Sequence, residues 1–133
     1  MGDRPAGTFP PERLEEFFEA CNAHDVDRIA AFFTPDGVYQ ASAGPVDDGT
    51  TFHGAVEVGR GFEAFFATYP DGHYTEIDVM VAGERGVASW TFTGTPESGV
   101  RMSYRGVDLF RFEDGHIALK DAFRKERAAP IGS

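Results

Sequence analysis

The chain has 133 residues, enough for one domain that buries roughly two-thirds of its unfolded surface without a disulfide or metal staple. With 41% apolar residues, 13 Phe, 4 Tyr and 1 Trp, it is too aromatic for a disordered segment. Its net charge of −10 makes phosphate backbones and anionic lipid surfaces poor partners, but the acid is uneven: residues 1–100 hold 5 basic and 17 acidic side chains, whereas 101–133 hold 7 and 5.

Residues 1–10 carry Gly, Pro and Thr without periodicity and are expected to be a flexible N-terminus. Pro11 then sits where a helix can start, and Leu14, Phe17, Phe18 and Cys21 follow at i, i+3, i+4, i+7 with glutamates on the other face. Asp25 reads as the N-cap of a second helix that turns Val26, Ile29, Ala30 and Phe33 inward, ended by a turn at Thr34-Pro35-Asp36-Gly37. Residues 38–43 form a short strand and 44–52 a polar loop. Residues 55–69 form a third helix, with Val58, Phe62, Phe65, Phe66 and Tyr69 on one face. From there the pattern is β: Ile77, Val79 and Val81 alternate with polar residues, as do Ala88, Trp90 and Phe92. A long strand covers about residues 100–112, Glu113-Asp114-Gly115-His116 reverses it, and residues 117–125 form the last strand. The expected architecture is α+β, three N-terminal helices packed on a curved, mainly antiparallel sheet, with one domain over 11–127 and a loose tail over 128–133.

Cys21 is the single cysteine, which excludes an intrachain disulfide and the zinc patterns that need several; on an apolar helix face it reads as core. No histidine pair has metal-ligand spacing and no phosphate-binding glycine motif is present, so neither metal nor cofactor is expected. No run of 18 apolar residues occurs, and the start of the chain lacks the pattern of a signal peptide. A soluble, cytoplasmic protein with no membrane or nucleic-acid partner is the expectation.

Three segments resemble the NTF2-like superfamily: Phe17-Phe18-Glu19-Ala20-Cys21-Asn22-Ala23-His24-Asp25-Val26-Asp27, Phe52-His53-Gly54, and Val107 to Ile117. The resemblance spans about residues 10–125 and implies a cone-shaped half-barrel whose concave sheet and helices enclose a pocket. Its members include ketosteroid isomerases, limonene-epoxide hydrolases, SnoaL-like polyketide cyclases, dehydratases and domains that only bind or dimerise, so the fold alone does not choose a function.

The last hairpin allows a geometric expectation. If the Asp114-Gly115 turn sets the register and neither strand bulges, Phe112 faces Ile117, Phe110 faces Leu119 and Asp108 faces Asp121, all on one sheet face. Four of these six are apolar, which makes that the buried face, with Phe123 beside it. Two carboxylates so placed would share a proton and form an acid/base dyad. The alternative is a solvated network of Asp108 with Arg105, Lys120 or Arg124.

Asp36-Gly37-Val38-Tyr39-Gln40 resembles the segment in which limonene-epoxide hydrolases hold water with a tyrosine, and Lys120-Asp121-Ala122-Phe123 their final-strand motif. The resemblance implies those roles for Tyr39 and Asp121. That family's next Asn is Ala41 here and its Arg-x-Asp pair has no counterpart, while the ketosteroid isomerase base falls near Ala41. SnoaL-like cyclases, with an acid in the pocket and no cofactor, are the closest analogy. The reading is a cofactor-independent cyclase, isomerase or dehydratase (lyase or isomerase chemistry) on a small apolar ketone or polyketide-like substrate. Asp121 is its acid/base, Asp108 tunes it, and Tyr39 or Tyr104 stabilises an oxyanion. Met102, Tyr104, Trp90, Phe92 and Phe123 are expected to line the pocket, with His53 and His73 at its end; His24 reads as structural and His116 as exposed. A non-catalytic ligand-binding or dimerisation domain and an epoxide hydrolase using Tyr39 and Asp121 are the alternatives. On the other sheet face Val107 and Leu109 alternate with Arg101, Ser103, Arg105 and Arg111, which suggests a homodimer surface.

Overall fold

The computed structural model describes residues 8–126. Helices α1 (Pro11–Asn22) and α2 (Val26–Ala31) precede strand β1 (Phe33–Gln40), and the short strand β2 (Thr51–His53) leads into α3 (Ala55–Thr68). Four long strands follow, β3 (His73–Ala82), β4 (Arg85–Gly94), β5 (Met102–Glu113) and β6 (His116–Arg124). They form one open six-stranded sheet of order β2-β1-β6-β5-β4-β3, antiparallel except where β1 runs parallel to β6. The α+β architecture expected from the sequence is the one observed.

Each helix lies where its apolar stripe meets this sheet. Leu14, Phe17, Phe18, Ala20 and Cys21 of α1 are buried, and Phe17 is the hub, its ring in edge contact with Phe18, Phe32, Phe33, Phe62 and Phe110 at 5.3–6.3 Å between centroids. Asn22 ties α1 to the free edge of β3: its side chain donates to the Tyr74 carbonyl at 2.9 Å and accepts from the Tyr74 N–H at 2.7 Å, imitating a strand neighbour. His24, as expected, is structural. It takes a left-handed φ of 54°, stacks on Phe66 at 3.9 Å and lies 2.7 Å from the Gly72 carbonyl through Nε2.

Three local expectations change. Phe33 does not end α2; it opens β1 opposite Ile117, and Thr34-Pro35-Asp36-Gly37 is carried inside the strand as an irregular excursion, five residue steps on β1 spanning two on β6. Pro35 has no N–H to lose there, so turn chemistry serves a bulge. The loop over 44–52 ends in β2, which pairs Val38 with His53. Phe9 is not loose: it is 1% exposed and stacks on Phe112 at 4.1 Å. The rest of the expected N-terminal segment, residues 1–7, and the tail over 128–133 lie outside the described residues.

The last hairpin decides what faces the interior. Asp114 and Gly115 both have positive φ, 51° and 73°, and Glu113 pairs with His116 as the Asp-Gly turn predicts. Phe112 still pairs with Ile117, but Arg111 pairs with Leu119, so Ala118 is an extra residue in β6. Beyond it every partner is shifted by one: Phe110 faces Lys120, Leu109 faces Asp121 and Asp108 faces Ala122. A one-residue slip exchanges the two faces. Asp108, Phe110, Lys120 and Ala122 are therefore buried, while Leu109 and Phe123 are each 47% exposed.

Truncating Phe9→Ala removes a fully buried ring and is expected to cost about 3 kcal/mol, whereas Val56→Ala, on a residue 71% exposed, stays within about 0.5 kcal/mol; urea midpoints at constant m distinguish them.

Candidate active site

The concave face encloses a narrow cavity lined by Tyr39, Ser42, Phe65, Tyr74, Trp90, Phe92, Tyr104, Lys120, Ala122 and Arg124. Its free volume is about 20 Å³, the space of a single water. β1 supplies Tyr39, β3 Tyr74, β4 Trp90 and Phe92, β5 Tyr104, and β6 the row Lys120, Ala122, Arg124, all inward by strand parity. Ser42 lies on the irregular segment 41–50 and borders the cavity from outside the regular elements.

Behind this lining sits a buried polar network. Lys120 Nζ donates to Asp108 Oδ1 at 3.1 Å, and Trp90 Nε1 donates to Asp108 Oδ2 at 3.0 Å. Asp108 is 0% exposed and Lys120 1%. The ammonium also lies 4.7 Å from the Tyr39 ring centroid and 5.5 Å from that of Phe62, so aromatic faces share its solvation. Burial pushes the Asp108 carboxyl above its ordinary value, opposed by the Lys120 charge and the two donors. For Lys120 burial acts downward and is the largest single influence, but Asp108, Tyr39 and Cys21 together outweigh it, leaving the amine above its usual range. Both shifts describe one pair. Two donors on the carboxylate and one carboxylate on the ammonium favour the ionised pair at neutral pH. Burial likewise raises the Tyr39 and Tyr74 phenols, so both remain hydrogen-bond donors. Burial pushes the Cys21 thiol up, in keeping with its place in the core.

The structure brings Tyr39, Tyr104, Trp90 and Phe92 together as the sequence suggests, with Asp108 directly behind them. It does not bring Asp121 to them. The bulge at Ala118 places Asp121 opposite Leu109 on the convex face, half-buried, where burial and the nearby Asp48 raise its carboxyl. The expected Asp108–Asp121 dyad is therefore absent, and Tyr39, which pairs with Lys120, points away from Asp121. Phe123 leaves the pocket for the same reason. Met102 packs at the edge of the core without lining the cavity. His53 and His73 are exposed on outer grooves rather than at the pocket end, and His116 is half-buried in its turn, against the Asp114 carbonyl at 2.9 Å. Ser42, Phe65, Tyr74, Lys120, Ala122 and Arg124 are the lining residues that sequence reasoning did not place in the pocket. Lys120 appears in the sequence reading only as a solvated partner of Asp108, since its inward direction depends on the bulge. Tyr74 alternates in phase with Phe92 across β3 and β4, a pattern that an earlier start for β3 would have shown.

A wider, open groove of about 370 Å³ lies on the convex face, bordered by Glu76, Ser89, Thr91, Arg105, Val107 and Phe123. It shares Trp90 and Arg124 with the smaller cavity, and among the described residues its lining holds no buried ion pair. Among the described residues no group of three or more His, Cys, Asp or Glu side chains is placed to hold a metal, and no helix is long and apolar enough to cross a membrane.

A family profile described as the SnoaL-like domain matches residues 14–120, and the chain belongs to that family. Several solved structures share the fold. A candidate SnoaL-like polyketide cyclase from Jannaschia sp. CCS1 superposes with a TM-score of 0.76 at 18% identity, covering 94% of this chain and 91% of that one. A protein with a ketosteroid isomerase-like fold from Catenulispora acidiphila DSM 44928 gives 0.76 at 18%, over 87% and 86%. An NTF2-like protein of unknown function from Burkholderia pseudomallei K96243 gives 0.71 at 24%, over 84% and 87%. The fold is NTF2-like, as the three sequence segments implied; at these identities the likeness concerns the fold. No protein of curated function matches the sequence.

Asp108→Asn leaves the Lys120 ammonium buried against a neutral partner and is expected to destabilise the fold by about 3–5 kcal/mol, with Asp108→Asn/Lys120→Met recovering a large part of the loss in denaturant titrations. The folded Lys120 holds its proton more tightly than the unfolded chain does. Its contribution to stability is thus complete below the ordinary lysine value of 10.5 and declines as pH rises through the higher folded value; thermal melts across alkaline pH should lose that decline in Lys120→Met.

Proposed function

We propose that the protein is a cofactor-independent acid/base enzyme acting on a small ketone or polyketide-like substrate in the concave cavity, a lyase or isomerase by reaction type. The observation that carries this reading is the Lys120 ammonium at the cavity wall, backed by a fully buried carboxylate at 3.1 Å and surrounded by aromatic rings. A pair of ionisable groups in one low-dielectric site, each altering the other's proton affinity, can pass a proton between its members.

The pair can work as a relay. As Lys120 passes a proton back to Asp108, its nitrogen takes the α-proton of the bound ketone, and the electron pair of that C–H bond becomes an enolate. The outcome is a neutral Asp108, a restored ammonium and an enolate oxygen beside it, one anion replacing another at the same cation. Tyr39 and Tyr74 supply further hydrogen-bond donors for that oxygen. Returning the proton to a different carbon isomerises the substrate, and attack of the enolate on a second carbonyl closes a ring. Asp108, which does not touch the cavity, positions and charges Lys120. Because the free space holds one water, a substrate enters only if the mouth widens. Ser42, on the irregular segment, and Arg124, at the end of β6, border that mouth.

The experiment is hydrogen–deuterium exchange at the α-carbon of 2-tetralone, followed by NMR. Lys120→Met is expected to slow catalysed exchange by about 100-fold or more, while Asp121→Asn, on the convex face, changes it by less than about threefold. Catalysed exchange that survives Lys120→Met overturns Lys120 as the base, and its absence from the wild type while the ketone binds favours the alternative of a binding domain without chemistry.

We also propose that the convex face joins two copies. Met80, Val87 and Leu109 lie side by side on β3, β4 and β5, Met80 being 67% and Leu109 47% exposed, with Phe123 close by. Arg105 and Arg111 share this face with Glu76, Asp78 and Asp121, a mixture of charges suited to an isologous contact. Leu109→Arg is expected to lower the molecular mass seen by light scattering from that of a dimer to that of a monomer at micromolar concentration.

A further inference from the structure

We propose that the ligand of the cavity is an elongated aromatic keto acid, its carbonyl oxygen at Lys120 and its carboxylate at Arg124; this rests on the reading of the cavity as the substrate site. The protein carries a net charge of −10, yet the charged side chains lining the cavity are two cations, Lys120 and Arg124, and no acid. They differ in how they are neutralised. Lys120 is bound to a carboxylate with no exposure to solvent, so its counter-ion cannot be exchanged for one on a ligand. Arg124 is paired through Nε, at 2.9 Å, with Glu126, whose side chain is 67% exposed. Arg124 itself is only 19% exposed, but its partner lies in solvent and is readily replaced by another carboxylate. Among the described residues Nη1 and Nη2 of Arg124 make no hydrogen bond, which leaves the planar fork free for a two-pronged contact with a carboxylate.

The placement fits one ligand spanning both groups. Lys120 and Arg124 sit on the same face of β6, four residues and so about 13 Å of strand apart, and the residue between them on that face is the small, buried Ala122. Ala122 makes a floor without bulk. Trp90, Phe92 and Tyr104 wall it, and the Arg124 guanidinium carbon lies 4.2 Å from the centre of the Tyr104 ring. Aromatic walls, a donor at one end and an unsaturated guanidinium at the other select a flat, apolar body with oxygen functions at both ends. A neutral ketone would use the walls and Lys120 but leave Arg124 to Glu126.

The test compares 4-acetylbenzoate and 6-acetyl-2-naphthoate with their methyl esters by isothermal titration calorimetry on the full chain. The wild type is expected to bind each acid about tenfold more tightly than its ester. Arg124→Gln should abolish that preference, and Arg124→Lys should keep part of it. Glu126→Gln, which removes the competing carboxylate from an exposed position, should strengthen acid binding and leave the ester unchanged; a merely structural Arg124 would not produce that gain. Esters that bind as tightly as the acids, or a preference that persists in Arg124→Gln, overturn the keto acid while leaving the cavity as the ligand site. Failure of all four compounds to bind overturns both.

Discussion

The ion pair between Asp108 and Lys120 is the constraint on which the rest of the cavity depends. Two charges buried this completely are tolerable only if each is matched, and the match requires β6 to present Lys120, not Leu119 or Asp121, to the interior. That presentation is made by one extra residue, Ala118. The same shift places Ala122 where a small side chain leaves room, sends Phe123 to the convex face, and brings Arg124 to the cavity lining. Trp90 completes the arrangement by donating to the second carboxylate oxygen, so its ring is fixed as a wall.

The surrounding fold serves this arrangement by excluding water. Phe17 and its five ring partners seal the helix layer against the sheet, Asn22 fastens α1 to the β3 edge, and Phe9 covers Phe112. A low-dielectric surround strengthens the attraction within the pair and makes its proton transfers sensitive to what binds next to it.

Much of this was legible in the sequence. The α1 stripe, the third helix, the order of the long strands and the Asp-Gly hairpin turn follow from periodicity and turn chemistry, which are local. Trp90, Phe92 and Tyr104 face the cavity because each lies in a strand whose alternation is unbroken around it, and Tyr39 does so because β1 is regular again from Val38 onward. Asp108 stands out as an acid among apolar residues of one parity; its partner is not the expected Asp121 but Lys120, one member of the alternative network, and the pair is buried rather than solvated. Phe33 was misplaced in the same manner: a turn-like Thr-Pro-Asp-Gly sequence was accommodated within a strand because β6 offered a partner at Ile117.

By itself, then, the sequence determined the fold class, the aromatic interior, the strand carrying an inward acid and the membership implied by three short segments. The tertiary structure alone decided which side chain meets that acid. The reason is physical: a bulge costs little and leaves no compositional mark, yet it inverts every side chain beyond it, so whether β6 turns a carboxylate or an ammonium toward Asp108 is settled only when desolvation, pairing and packing are satisfied together.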